Sequence, residues 1–424
     1  MKDAMAKIWR RVRIDDPDSV TRRAGDEVDP RSVGLSEADV EAIWSAVVRL
    51  YKTAIHPGIA ICVRRRGQVV LHRTIGHARG NGPDDPHNGV KVQATPDTLW
   101  NFFSGSKAIT AVLVHMLHER ELIHIDEPVA TFIPEFAKHK KHRITIRDVL
   151  THRSGIPNIP SDLVDLDILH DRERVVNIVC ELKPRSKPGR EVAYHAVTGG
   201  FILGEILHRV TGNDIREFMR TEVSGKLGFD HLNYGVPESR LSEVAIEAFT
   251  GPIPTWPHKN LLENALGFDM PTLVNFANDP RFRTGIMPAG NCMGTANEVC
   301  QFFEMLRAGG ELNGVRICSE DTVRRATAPK TRGEVDRMLM LPIPYSAGFM
   351  LGSDLVGFYG PKTGKAYGHL GFTNVLGWAD PERDLSVALM NNGKPLIALE
   401  LLAWLDVMRT ISMRVPRDGV AIRG

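Results

Sequence analysis

Long apolar runs are missing from this sequence. The longest near-apolar helical stretch, Ala108 to Leu117, is about ten residues and contains His115, too short to cross a bilayer, so no membrane span is expected. The first twenty residues carry basic side chains but no apolar run of seven, which argues against a secretory signal and makes a cytoplasmic location the expectation. Cysteine is scarce: Cys62, Cys180, Cys292, Cys300 and Cys318 are odd in number and never spaced Cys-x-x-Cys, which excludes a disulfide framework or zinc cluster as the organising device. An excess of one charge is also absent, with 53 Lys and Arg against 51 Asp and Glu. Nothing in that balance points to nucleic acid. Internal repeats and low-complexity tracts are lacking too.

What is present is an ordinary globular composition, 25% charged and 42% hydrophobic over 424 residues. That length suits one large two-lobed unit or two domains. Residues 1–34 are charged and punctuated by Pro and Gly, which predicts a loosely held N-terminal arm. Ser36 with Asp39 then reads as a helix N-cap, followed by apolar residues at helical spacing through Val40, Ile43, Val47 and Leu50. "GIAICVRRRGQVVLHRTIG" places two β-branched runs about a basic turn with Gly67, a hairpin pattern.

Helical signals dominate from Ser104 to about residue 250, and strand-like runs ("SAGFMLG", "LVGFYG", "TNVLGWA", "LSVALMNN") return after about residue 290. A closing amphipathic helix, "LIALELLAWLDVM", follows. Strands at both ends with helices between predict an α+β chain: an α/β lobe from 35–103 and 290–424, and a mainly helical lobe from 104–289.

Within "WNFFSGSKAITAVLVHMLHE", Ser104 and Lys107 are one turn apart and able to touch, away from the stripe of Ile109, Val112, Leu113, Met116 and Leu117. A serine hydroxyl becomes a nucleophile when a neighbour takes its proton, and a lysine with a lowered pKa can do so. A helix start adds N–H groups and a dipole that favour developing negative charge. The same residues also suit a plain helix start, so the four-residue pattern alone decides nothing. It occurs once in the chain, and the small Gly105, Ala108 and Ala111 leave room for close approach.

The surroundings of this pair resemble the serine β-lactamase and penicillin-binding-protein superfamily, most closely its class C β-lactamase and family VIII carboxylesterase branch. The resemblance runs through "TPDTLWNFFSGSKAITAVLVHMLHERELIHIDEPVATFIPEF", "ITIRDVLTHRSGIP", "PGREVAYHAVTGGFILGEILHRVTG" and "YGHLGFTNVLGWADPERDLSVALMNN". It covers roughly residues 36–410. It implies a β-lactamase/transpeptidase-like fold, an antiparallel sheet flanked by helices plus a mostly helical lobe, with the active site between the lobes.

By that resemblance Ser104 is the acylated nucleophile, Lys107 its activating partner and Tyr194 the group that shuttles a proton to the leaving group. His369 to Gly371 form the strand beside the substrate, and the N–H groups of Ser104 and Phe372 the oxyanion hole. No metal or other cofactor is implied. A small-molecule carboxylic ester is the implied substrate, and oligomeric state is unreadable. The same family leaves open β-lactamase or D-amino-acid peptidase or amidase activity, and acyl transfer. It also leaves open a catalytically silent member that binds an acyl ligand.

Two departures bear on these readings. The family's Tyr-x-Asn is absent, because His195 and Ala196 follow Tyr194; the Asn helps hold amide side chains, so its loss favours esters. A literal Lys362-Thr363-Gly364 precedes His369-Leu370-Gly371. The short distance from His369 to the acidic Pro turn "DPERDLSV" selects His369 as the third motif.

Other motifs read as structural. "GNCMG" around Cys292 imitates a nucleophile elbow but lacks the preceding strand, predicting a tight loop. "HERELIH" fails as a zinc motif because Leu122 stands four after His118. "HKKH" (139–142) reads as a solvated basic loop and His152 as a structural hydrogen-bonding residue. The segment holding Trp256, Phe268 and Phe276 is a candidate wall of the substrate pocket.

Overall fold

The computed structural model describes residues 9–160, 165–253, 267–331, 333–355, 357–396 and 400–417. The main antiparallel sheet draws strands from two distant stretches of chain: β1 (Thr21–Arg23), β2 (Gly58–Arg65), β3 (Gln68–Arg79) and β4 (Val92–Gln93), then β5 (Met350–Leu351), β6 (Tyr367–Leu370), β7 (Leu376–Asp380) and β8 (Leu385–Asn391). Their order is β5-β6-β7-β8-β2-β3-β1, with β4 also paired to β3. The junction is β8 on β2, seven residue pairs from Leu385↔Arg65 to Asn391↔Ile59. Arg66 and Gly67 both take positive φ in the β2–β3 turn, the backbone twist a tight hairpin needs.

Alternation along the strands decides what covers each face. Ile59, Ile61 and Val63 of β2, with Leu385, Val387 and Leu389 of β8, pack against Ile43, Val47 and Leu50 of α1 (Glu37–Tyr51) and against Trp404, Val407 and Ile411 near the C-terminus. The opposite face presents the small Ala60, Cys62 and Ala388. That relief admits a helix bearing Phe302 and Phe303.

Between the two strand groups lie α2 (Ser106–Glu119), α3 (Thr198–Thr211), α4 (Met270–Asn278) and α5 (Ala296–Arg307), the last carrying those phenylalanines; α6 (Glu400–Arg414) closes the fold. Helix α2 is buried along nearly its whole length, from Ser106 to Leu117. It packs on α3 inside one large apolar core that also takes in Ile146, Val149, Phe218 and Val223. The antiparallel sheet flanked by helices is the α+β architecture that the sequence predicts. No helix among the described residues is long and apolar enough to cross a membrane.

Residues 9–34 depart from the loose arm expected of them. β1 adds to the edge of the sheet, Trp9–Arg10 pairs with Gly251–Pro252, and Val20 and Val33 are buried. Charge in this segment is spent on pairing: Glu27 faces the guanidinium of Arg73 at 2.9 Å, and His72 Nδ1 lies 2.9 Å from Asp26. The run "LVGFYG" also differs, since Phe358 and Tyr359 lie in a turn. Tyr359 is buried there by stacking on Trp378 at 5.7 Å, with its hydroxyl donated to the Met350 carbonyl.

Candidate active site

Ser104 sits in a single 3-10 turn, Phe103–Gly105, that runs directly into α2. Phe103 takes φ +48°, a left-handed conformation costly for a bulky residue and kept only when its surroundings over-determine it. They do so here. The Phe103 N–H donates to Asn101 Oδ1 at 2.9 Å, and its carbonyl accepts from Ser106 Oγ at 2.5 Å. Ser106 Oγ in turn accepts the Cys292 N–H at 2.9 Å. Gly105 is obligatory, because a Cβ there would lie 2.3 Å from the Phe102 ring.

Lys107 is brought onto Ser104 by the helical turn between them: its Nζ lies 3.1 Å from Ser104 Oγ and 2.9 Å from the Ala289 carbonyl. It also stands 4.8 Å from the centre of the Tyr194 ring. Burial pulls the ammonium's pKa down to about 7, because the charged form loses its water. Burial raises the Tyr194 phenol above its ordinary value, opposed by the influence of the Ser104 side chain. An amine losing its charge beside a phenol keeping its proton can accept the Ser104 proton at neutral pH and relay one through Tyr194.

The other wall is β6. His369 is buried there, its ring 6.2 Å from that of Tyr194, and Nδ1 lies 2.7 Å from the Leu370 carbonyl. Burial pushes the imidazole down to about 3, leaving it neutral. Gly371 lets the strand end approach the nucleophile turn, since a Cβ would fall 2.7 Å from the Phe102 carbonyl. The Phe372 ring packs on Phe103 at 5.5 Å. Ser104, Tyr194 and Phe372 therefore line one cleft, with Lys107 against Ser104, His369 beside Tyr194 and Gly371 against the Phe102 carbonyl.

Lys362-Thr363-Gly364 lies apart, folded into a turn in which Thr363 Oγ1 donates to the Gly360 carbonyl and Arg383 holds the Lys362 carbonyl. Cys292 is buried in a short strand between Trp100–Asn101 and Asn233–Tyr234, where burial raises its thiol. A short paired strand thus replaces the expected loop. The 139–142 loop also departs from expectation: Lys141 is fully buried and caps a helix end, donating to the Val179, Cys180 and Leu182 carbonyls. No group of three His, Cys, Asp or Glu suited to a metal occurs among the described residues.

A cavity of about 160 Å³ includes Ser104 in its wall and is lined by Ile159, Leu169, Phe201, Phe276 and Met287, and by Ala196 where the family's Asn would stand. Phe268 lines it as well, 5.1 Å from the Phe276 ring. Trp256 lies outside the described residues.

A second tier of residues was not recognised in the sequence as part of the site. His152, with φ +60°, places its ring 4.8 Å from Tyr194, and its Nδ1 accepts the His195 N–H at 3.1 Å. Asp336 accepts the N–H of Tyr194 at 3.2 Å and the hydroxyl of Tyr345 at 2.9 Å. The Thr-His-x-Ser-Gly loop was a signal for His152; Asp336, 142 residues from Tyr194 in sequence, carries none.

Comparison with known proteins gives the family. Residues 46–407 match the beta-lactamase family model. The curated "Esterase/beta-lactamase LipL" of Mycobacterium tuberculosis is 25% identical over 416 residues, covering 93% of this chain and 91% of that protein. A penicillin-binding-protein homologue from Caulobacter crescentus superposes with a TM-score of 0.72 at 26% identity, covering 90% of this chain and 99% of its own. A family VIII carboxylesterase superposes equally well, TM-score 0.72, at 24% identity over 88% of this chain and 98% of its own. With the match spanning both strand groups and the Ser104 turn, the chain belongs to the beta-lactamase family and is a beta-lactamase-like serine hydrolase.

Proposed function

We propose that the protein hydrolyses carboxylic esters through an acyl-Ser104 intermediate. The observation that carries this reading is the placement of Ser104, with Lys107 against it, in the wall of a mostly apolar cavity, with Ala196 offering no amide partner. A site built to hydrogen-bond an amide side chain discriminates strongly by that bond; here the wall is mostly hydrocarbon, with Asn158 and Asp165 among its polar members, and suits an acyl or alkyl group.

In the first half-reaction neutral Lys107 accepts the hydroxyl proton as Ser104 Oγ bonds to the ester carbonyl carbon. The resulting oxyanion is received by the N–H groups of Ser104 and Phe372. As the C–O bond to the alcohol breaks, Tyr194 donates its proton to the departing oxygen and is reprotonated from Lys107. Water then attacks the acyl-enzyme, giving its proton back along the same route and releasing the acid with Ser104 restored. His369, neutral and paired to its neighbour's carbonyl, fixes the strand that carries Gly371 and Phe372.

The test is initial rates on p-nitrophenyl acetate, butyrate and octanoate beside nitrocefin, for the wild type and Ser104→Ala. Expected are ester turnover with negligible nitrocefin turnover, and a loss of about 10³-fold or more in Ser104→Ala. Nitrocefin turnover exceeding ester turnover would give the site to β-lactam chemistry. Equal rates in the variant would remove Ser104 from the reaction, and absence of all turnover and of fluorophosphonate labelling would favour a silent ligand-binding member.

A further inference from the structure

The nucleophile turn rests on a second buried amine that the chemistry above does not use. Lys394 is fully buried, on a two-residue strand, Gly393–Lys394, that runs parallel to Ala248–Phe249. Its Nζ donates to the Asn391 carbonyl at 2.8 Å and to Asn391 Oδ1 at 3.2 Å, and faces Glu247 Oε2 at 3.3 Å. Glu247 is only 4% exposed, so both members of the pair have given up their water. The same Nζ lies 4.7 Å from the centre of the Phe103 ring, within cation–π range.

Phe103 is the left-handed residue that precedes Ser104, and its ring also packs on Phe372. One ring thus touches the ammonium and the side chain of Phe372, while its backbone carries Ser104. A buried ion pair is a poor way to fill space, because apolar residues of similar volume do so with equal or greater stability. Its position beside the one residue of the turn with positive φ points to a role in geometry.

We propose that Lys394 is a positioning residue for acyl transfer: held by Glu247 and Asn391, its ammonium seats the Phe103 ring and so keeps the N–H groups of Ser104 and Phe372 aimed at one point. This rests on reading Ser104 as the nucleophile and those N–H groups as the oxyanion donors. Lys394 touches neither substrate nor the reacting atoms, and its effect passes through Phe103.

The experiment uses Lys394→Met/Glu247→Gln, which removes both charges and leaves neither buried alone, and Phe103→Leu, which removes the ring and leaves the pair intact. The readouts are melting temperature, kcat and KM on p-nitrophenyl butyrate, and the rate of Ser104 labelling by a fluorophosphonate. We expect the double variant to melt at or above the wild-type temperature while kcat and labelling rate fall about tenfold and KM stays within about twofold. Phe103→Leu is expected to show the same fall, with no further loss when the three substitutions are combined, as for groups acting through one contact.

Wild-type kcat and labelling in the double variant would overturn the inference, as would losses that multiply on combination. Should the double variant not fold, Phe103→Leu with wild-type kcat and labelling would overturn it alone. A wild type that the probe does not label would instead remove the nucleophile reading, and this inference with it.

Discussion

In the proposed reaction Lys107 and Tyr194 divide the proton chemistry, because burial acts on them with opposite consequences. It penalises charge in both, so the amine is driven toward its neutral, basic form and the phenol is held in its protonated, acidic one. The sign of the pH dependence follows. Lys107, with its pKa lowered to about 7, must be neutral to accept the Ser104 proton, so kcat/KM on a neutral ester should rise about tenfold per unit well below that pH and level off above it. The phenol, raised above its ordinary value, leaves the plateau unbroken to about pH 9. A stopped-flow profile from pH 5 to 9 checks this, and a flat or descending one would take the base role from Lys107. Ser104 and Lys107 were legible in the sequence because three residues of helix bring them together. Asp336 was not, because only folding sets it on the Tyr194 backbone.

Elements hold these groups by close approach as much as by hydrogen bonds. Helix α3 crosses behind the Lys107 anchor with Gly200 at the contact: a Cβ there would lie 2.5 Å from the Ala289 nitrogen and 2.7 Å from its Cβ. Since the Ala289 carbonyl holds Lys107, Gly200→Ala should move it, lowering kcat/KM about tenfold or more and the melting temperature by a few degrees. Unchanged ester kinetics in that variant would show that the carbonyl is free to yield. Helix α1 was readable from its start, where Ser36 and Asp39 form a reciprocal capping box, and the β2–β3 hairpin from its alternation and turn. "LVGFYG" misled because buried aromatics mimic strand composition. Lys141 misled because a basic run looks solvated until a helix end is packed against it.

On the scale of the molecule, the sheet joins residues 21–93 to residues 350–391, so the cleft depends on a ladder between chain segments far apart in sequence. Residues 9–34 protect its edge. Their removal would strip β1 from β3, expose the strand edge and leave Asp26 and Glu27 missing from His72 and Arg73. A chain lacking residues 1–34 should melt about 5–10 °C lower and aggregate more readily, which differential scanning fluorimetry and light scattering would register; an unchanged melting temperature would return the segment to a loose arm. The sequence by itself determined what local spacing can encode: the Ser104–Lys107 turn, the capped first helix, the central hairpin, and an α+β order of strands, helices and strands. Only the tertiary structure decided the pairing of β8 with β2, the seating of Tyr194 on Asp336, and the approach of Lys394 to Phe103. Those contacts join residues more than a hundred positions apart, and burial, which sets both their strength and the protonation of the groups involved, is a property of the packed molecule.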